Sequence, residues 1–225
     1  MKLSNKSALF AAAAVLTALT PVGAVQAQGQ MQHGKMQPRH MQAGKMQNMQ
    51  HGKMQPGHMK MGMASMGSLA KLKGKQFDVA FLSQMIAHHQ AALTMSRDAR
   101  PSLKDTHVRE HAQEIIASQT KEIREMGALL QTDYKTKPSM AQMNTMKADM
   151  KGMMAMKPTS DHMFLEMMIP HHQGAVEMSQ LALKNSSSPK VKALASRIIK
   201  DQNAEIADFK KMLAKGVGVG AAHSH

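Results

Sequence analysis

The chain reads Phe81-Leu82-Ser83-Gln84-Met85-Ile86-Ala87-His88-His89-Gln90-Ala91-Ala92-Leu93-Thr94-Met95-Ser96, and the pattern returns 83 positions later, from Phe164 to Ser179. The second copy keeps Phe-Leu, Met-Ile, His-His-Gln, Ala and Met-Ser at the same internal spacings. The segments that follow each copy keep the same offset. The repeated unit is therefore longer than the motif, and it sets the organisation of the whole chain.

Both copies have the periodicity of an amphipathic helix. At about 100° per residue, His88 shares the apolar stripe of its helix and His89 lies at the edge of that stripe. Asp105 is the expected N-cap of a second helix, and Ser188 takes that place in the other copy. The residues of the stripe are Phe77, Phe81, Met85, His88, Ala92 and Met95.

Each second helix has one inward face, and the two faces match at the constant offset. In the first copy this face holds Ala112, Ile115, Gln119, Glu122, Met126 and Leu130, and in the second Ala195, Ile198, Gln202, Glu205, Phe209 and Leu213. Two helical hairpins with one apolar face each bury those faces by packing together. We therefore predict an all-α four-helix bundle from repeat one (75–134) and repeat two (159–215).

The other segments are predicted to lie outside the bundle. Residues 1–27 have the basic start, apolar run and small residue before the cleavage point of a secretory signal peptide, which predicts a soluble, exported mature protein. Residues 28–74 are a Met/His-rich tail with too few apolar side chains to fold without a ligand, and 216–225 are expected to be a mobile end. The Met-rich segment between the repeats, 135–158, has a spacing that indicates one further short helix.

The composition excludes several classes of protein. There is no cysteine, so the chain has neither disulfide bonds nor thiolate metal sites. The formal net charge is +14, but export and the low aromatic content argue against nucleic acid as a partner. Contact of the basic tail with an anionic membrane surface stays open.

Methionine is the compositional outlier, at 26 residues. Thioethers and imidazoles are ligands that suit copper, and thioethers select Cu(I). In the tail, Met and His stand within a few positions of each other, close enough for a flexible loop to wrap one ion; the alternative is a spacer whose Met content reflects drift. The predicted tail ligands are His33, Met36, His40, Met41, His51, Met54, His58 and Met59.

Within the bundle, methionine and histidine share one helix face in each copy. The candidate metal ligands are His88, Met85 and Met95 with His171, Met168 and Met178, joined by His89 and His172 at the stripe edge. The facing helix brings polar side chains to this level, of which Glu122 can accept a hydrogen bond from His88 or His89 and fix its tautomer. The candidates for this orienting role are Glu122, Glu205, Gln119 and Gln202. The alternative is a set of buried, neutral histidines whose contacts with glutamate only set the helix register.

The two motifs resemble the signature of the bacterial domain-of-unknown-function family 305. The resemblance covers about residues 75 to 215, and the longer second motif carries Pro170 and Gly174 where the first has Ala87 and Ala91. This resemblance implies a ferritin-like bundle and copper binding in the periplasm, as in the CopM-type members. The positions it matches as ligands are His88, His89, Met95, His171, His172 and Met178.

The leading hypothesis is a periplasmic protein, not an enzyme, that binds Cu(I) chiefly, with Cu(II) and Ag(I) as further candidates. It would sequester the metal or pass it to an efflux or chaperone partner, for copper tolerance. A ferritin-like metal oxidase or storage protein is the first alternative, although no Glu has a His three positions later, as di-iron sites of that kind require. A polycationic membrane-surface or interaction protein is the second.

Overall fold

The computed structural model describes residues 63–217. Within this range no strand is present, and no helix is long and apolar enough to cross a membrane. Residues 1–62 and 218–225, which include the predicted signal peptide and most of the Met/His-rich tail, lie outside the described part. The helices are α1 (Met63–Ala70), α2 (Gly74–Ala99), α3 (Thr106–Thr132), α4 (Met140–Asp149), α5 (Lys151–Ala155), α6 (Asp161–Asn185) and α7 (Pro189–Ala214), with one 3-10 turn at Arg100–Ser102.

The bundle consists of two hairpins, α2 with α3 and α6 with α7, which pack together through α2 and α6. One core cluster joins the first half of α2 to the second half of α6, and the other cluster joins the remaining halves. The two central helices are therefore antiparallel. The predicted all-α, ferritin-like four-helix bundle is confirmed.

The helix ends follow the predicted caps. The Asp105 carboxylate accepts hydrogen bonds from the backbone N–H groups of His107 at 2.9 Å and Val108 at 3.1 Å. Ser188 accepts from the N–H of Val191 at 3.3 Å. Both second helices thus begin at a side chain that satisfies otherwise unpaired N–H groups.

Two buried aspartates, 83 positions apart in the repeat, hold the helix ends: Asp161 links the two hairpins, and Asp78 closes the first hairpin. The Asp161 carboxylate accepts from the backbone N–H of Lys104 at 3.0 Å and of Asp105 at 3.3 Å. The hydroxyl of Tyr134 donates to Asp78 at 2.9 Å. Burial, with the hydrogen bond to Asp78 adding to it, raises the pKa of Tyr134 to about 12, so the phenol stays a donor at neutral pH.

The Met-rich segment between the repeats is helical, as its spacing indicates, but it forms two short helices, α4 and α5, where one was predicted. Helix α4 packs on the outer side of α2, where the Nε2 of Gln84 donates to the Oε1 of Gln142 at 2.6 Å. Met143, Met146 and Met150 are buried in the core. The segment therefore adds a third neighbour to α2, besides α3 and α6.

Helix α1 corrects the prediction that residues 28–74 are disordered throughout. Leu69 is fully buried, and the backbone N–H of Ser65 donates to the Asp149 carboxylate at 2.7 Å. The Nε2 of Gln84 donates to Ser68 at 3.1 Å. These contacts come from α2 and α4, distant in sequence, so the local composition gave no sign of the helix.

Leu69 provides a test of α1. Replacing it with alanine is expected to lower the free energy of unfolding by about 2–5 kcal/mol, because a fully buried leucine is lost together with its packing. Leu183→Ala is the matched control, since that leucine is 39% exposed, and should cost less than about 1 kcal/mol. Urea unfolding followed by circular dichroism measures both, and equal losses would contradict the packing of α1 on the bundle.

Candidate metal centre

Four histidines form a buried layer across the middle of the bundle. His88 and His89 come from α2, and His171 and His172 from α6; all four are 0% exposed. The rings of His88 and His171 lie against each other, with centroids 3.8 Å apart and planes at 31°. The Nε2 of His171 donates to the backbone carbonyl of His88 at 3.2 Å. Its Nε2 therefore carries the proton, and its Nδ1 holds a free lone pair.

The structure corrects the placement of His89 and His172 at the edge of the apolar stripe. Both rings are fully buried, because α2 and α6 have several packing partners, not one. The Nε2 of His89 lies 2.7 Å from Glu122 Oε2, so Glu122 pairs with His89 and not with His88. The Nε2 of His172 lies 2.6 Å from Glu205 Oε2, a close polar contact without the alignment of a hydrogen bond.

Each of the four imidazoles has a buried nitrogen with no protein partner. In His89, His171 and His172 the Nδ1 atom has no partner, and in His88 neither ring nitrogen has one. Metal-ligating histidines usually donate one ring N–H to a carboxylate or a carbonyl and bind the metal through the other nitrogen. His89 and His171 have this arrangement. The layer therefore presents oriented lone pairs in a site closed to solvent.

The two stacked histidines are neutral at neutral pH. Burial lowers the pKa of His88 and of His171 well below the usual value, and the neighbouring histidines lower it further. A neutral imidazole is the form that binds a metal. These side chains can accept a metal ion at neutral pH without first losing a proton.

Gln119 and Gln202 lie near the same layer, yet they do not orient the histidines through hydrogen bonds. Both are nearly fully buried, and neither side-chain amide has a protein partner. The same is true of the hydroxyl groups of Ser96 and Ser179, which sequence reasoning missed. Their shared offset of 83 positions, and their place two helical turns after His89 and His172, were the available signals.

The predicted methionine ligands are buried on both sides of the histidine layer. Met85 and Met178 belong to one core cluster, and Met95 and Met168 to the other. Because α2 and α6 are antiparallel, the methionine that precedes the His-His pair in one helix packs with the methionine that follows the pair in the other. Each side of the layer therefore receives one of the predicted thioether ligands from each repeat.

Met126 is a further buried thioether that the sequence analysis did not single out as a ligand. It is 0% exposed and lies one turn after Glu122 on α3. The equivalent position in repeat two is Phe209, whose ring centroid lies 5.5 Å from that of His172. The two halves of the layer are thus chemically different, with a thioether at this position in one half and an aromatic ring in the other.

The donor set fits a soft ion better than a hard one. In residues 63–217 no three His, Asp or Glu side chains converge closely enough to hold one metal ion. The remaining donors near the layer are thioethers and amides, and imidazole with thioether suits copper. The predicted tail ligands His33, Met36, His40, Met41, His51, Met54, His58 and Met59 lie outside the described residues.

A family model described as "Domain of unknown function (DUF305)" matches residues 17–130 and 131–213. The chain belongs to the DUF305 family. The two matched ranges each contain one of the helical hairpins, in agreement with the internal repeat. No curated protein sequence matches this DUF305 chain.

Solved structures similar to this DUF305 protein include a relative from Streptomyces coelicolor that is described as secreted. It has 28% identity and a TM-score of 0.53, over 65% of this chain and 97% of that one. CopM in its Cu(II)-bound form has 30% identity and a TM-score of 0.53, over 61% and 96% of the two chains. CopM in its Cu(I)-bound form has 30% identity and a TM-score of 0.52, over 63% and 98%.

The neutral histidines predict how stability depends on pH. The unfolded chain binds protons at His88 and His171 near pH 6.5, whereas burial keeps both neutral in the native state. Unfolding therefore takes up protons in acid, and the metal-free protein should lose stability as the pH falls below about 6.5. Each histidine contributes up to about 1.4 kcal/mol per pH unit.

Other ionisable groups face the same layer, namely His89, His172, Glu122 and Glu205. The pH dependence of stability must therefore be compared between the wild-type protein and a variant that lacks the two rings. Urea unfolding of the metal-free protein and of the His88→Gln/His171→Gln variant, between about pH 5 and 8, provides this comparison. The variant should show the shallower dependence on pH. Equal slopes would show that the two rings are protonated in the native state.

Proposed function

We propose that this DUF305 protein is a periplasmic copper-binding protein that takes chiefly Cu(I), with Ag(I) as a further ligand. It sequesters the metal, or hands it on to an efflux or chaperone partner, and so limits copper toxicity. CopM, 30% identical over most of its own length, has been crystallised with Cu(I), Cu(II) and silver. Export is supported by the signal-like start of the sequence and by the relative described as secreted.

The observation that carries this proposal is the histidine layer with thioethers on both sides. Each of its four rings has at least one buried nitrogen without a protein partner, which costs free energy in a protein whose only task is to fold. Cu(I) prefers imidazole and thioether ligands, and both are present without any thiol. A metal that accepts these lone pairs would remove the cost of leaving them unpaired.

The Met/His-rich tail has a complementary role in this proposal. Its ligands recur at short spacings in a segment with no acidic residue, which gives many interchangeable soft sites. Such a segment collects ions with low specificity, whereas the bundle offers defined geometry. The proposed protein therefore combines a collecting segment with a more selective core.

Binding, and not catalysis, is the role that the ligand set supports. A ferritin-like di-iron oxidase needs several carboxylates around one site. In the bundle only Glu122 and Glu205 reach the histidine layer, each beside its own histidine. We accordingly propose that the protein is not an enzyme.

The proposal is tested by competition for Cu(I) between a chromogenic chelator and the mature protein under reducing conditions. The wild-type protein should withdraw Cu(I) from the chelator. The His88→Gln/His171→Gln variant should bind at least one equivalent less, because it lacks both stacked imidazoles. If the wild-type protein withdraws no copper at any ratio, the proposed function is wrong.

A matched variant separates the histidine layer from surface histidines. His107→Gln removes an imidazole whose side chain is 79% exposed, and this variant should bind as much Cu(I) as the wild type. Circular dichroism shows whether each variant keeps its helices. Equal losses in the two variants would assign copper binding to histidines in general and not to the buried layer.

A further inference from the structure

A groove of about 560 Å³ runs along the outer side of α2, under the junction of α4 and α5. Its α2 wall is formed by Ala87 and Ala91, whose short side chains leave the groove open, with Gln90 beside them. Met150 and Met154 form the facing wall. The groove therefore places two thioethers opposite the helix segment that carries His88 and His89, but on its other side.

The two methionines share one face of a helical turn. The backbone N–H of Met154 donates to the carbonyl of Met150 at 2.9 Å, which fixes the spacing of one α-helical turn between them. Met150 is only 4% exposed, and Met154 is half-buried. Met154 packs against both core clusters, so it lies at the level of the histidine layer that separates them.

We propose that Met150 and Met154 form a soft-metal site in this groove, distinct from the four histidines, which takes Cu(I) or Ag(I). The side-chain oxygen of Gln90, which lines the same groove, or a solvent molecule completes the coordination. This inference rests on the proposed function and adds a second, solvent-accessible site to it. A thioether pair that lines an open groove through the half-buried Met154 can exchange an ion with a partner, which the closed histidine layer cannot do without opening.

Two neighbouring lysines place positive charge beside the proposed site and lower its affinity for a metal ion. Lys147 and Lys151 also line the groove and are exposed. Their charges weaken cation binding, so the site favours exchange of the metal over storage.

The alternative is that Met150 and Met154 serve only as adaptable core packing. Met143 and Met146 fit that description: they are buried in α4 and do not line the groove. Met150 is as buried as Met143, at 4% against 7% exposed, but it lines the groove together with the half-buried Met154. The segment also occurs only once, between the repeats, so α6 has no counterpart of this pair.

The test is titration of the full mature protein, labelled with 13C at the methionine methyl groups, with Ag(I), observed by NMR. Ag(I) is used because it is diamagnetic and does not change oxidation state. The methyl signals of Met150 and Met154 should shift together, and Met150→Leu should abolish the shift of Met154. Met143→Leu/Met146→Leu is the control for packing and should leave both shifts in place.

The lysines provide a second readout. Lys151→Gln should tighten Ag(I) binding at this pair by about twofold, as expected for one unit charge near a solvent-exposed ion. If the wild-type protein binds Ag(I) at other methionines while the Met150 and Met154 signals do not move, the site proposed here is wrong and the proposed function stands. If no methionine or histidine signal moves and no Cu(I) is withdrawn from a chelator, the proposed function itself fails.

Discussion

The contact between His88 and His171 is the interaction on which the rest of the bundle depends. The two rings lie 3.8 Å apart at the crossing of α2 and α6, and the Nε2 of His171 donates to the carbonyl of His88. The reciprocal hydrogen bond is absent, since neither ring nitrogen of His88 has a protein partner. Each buried polar group left unpaired costs about 1–3 kcal/mol. The fold therefore accepts a local cost at its centre, which is the usual mark of a site kept for function.

The antiparallel arrangement of the repeats decides which side chains share an environment. Within one helix, Met85 and Met95 lie on opposite sides of His88 along the chain. Packing against the second copy places Met85 with Met178 in one apolar cluster, and Met95 with Met168 in the other. The polar layer consequently lies between two dry clusters that contain thioethers. Burial on this scale lowers the pKa of His88 and His171 and explains why these two imidazoles are held neutral.

The periodicity and the repeat predicted the bundle, because each of the four long helices has an apolar face and two of them have caps that the sequence shows. Asp105 and Ser188 were correct as N-caps, since a local side chain satisfies local N–H groups. The edge position of His89 was wrong because a helical wheel assumes one packing partner, whereas α2 contacts α3, α4 and α6. Helix α1 could not be predicted, because its stability comes from distant contacts such as Ser65 with Asp149.

The pairing of His89 with Glu122 shows which details of the site the sequence can predict and which it cannot. The spacing along an antiparallel hairpin placed Glu122 within reach of both His88 and His89, but periodicity has no means of choosing between neighbouring rings. The choice depends on rotations of α3 that are set by packing along its whole length. The same limit applies to Gln119, which shares its helix face with Glu122 yet makes no hydrogen bond with its side chain.

The charges near the histidine layer bear on which oxidation state of copper the bundle would bind. The donors of the layer are imidazoles and thioethers, and the nearest negative charges are Glu122 and Glu205, whose side chains are 16% and 22% exposed. Burying an ion without a compensating charge is costly, and the cost grows steeply with its charge. A monovalent ion can be balanced by a single carboxylate acting through its histidine. A divalent ion needs both carboxylates, which lie beside separate histidines on opposite hairpins. In the function proposed above, this charge balance would favour Cu(I) over Cu(II), on grounds that are independent of the softness of the ligands.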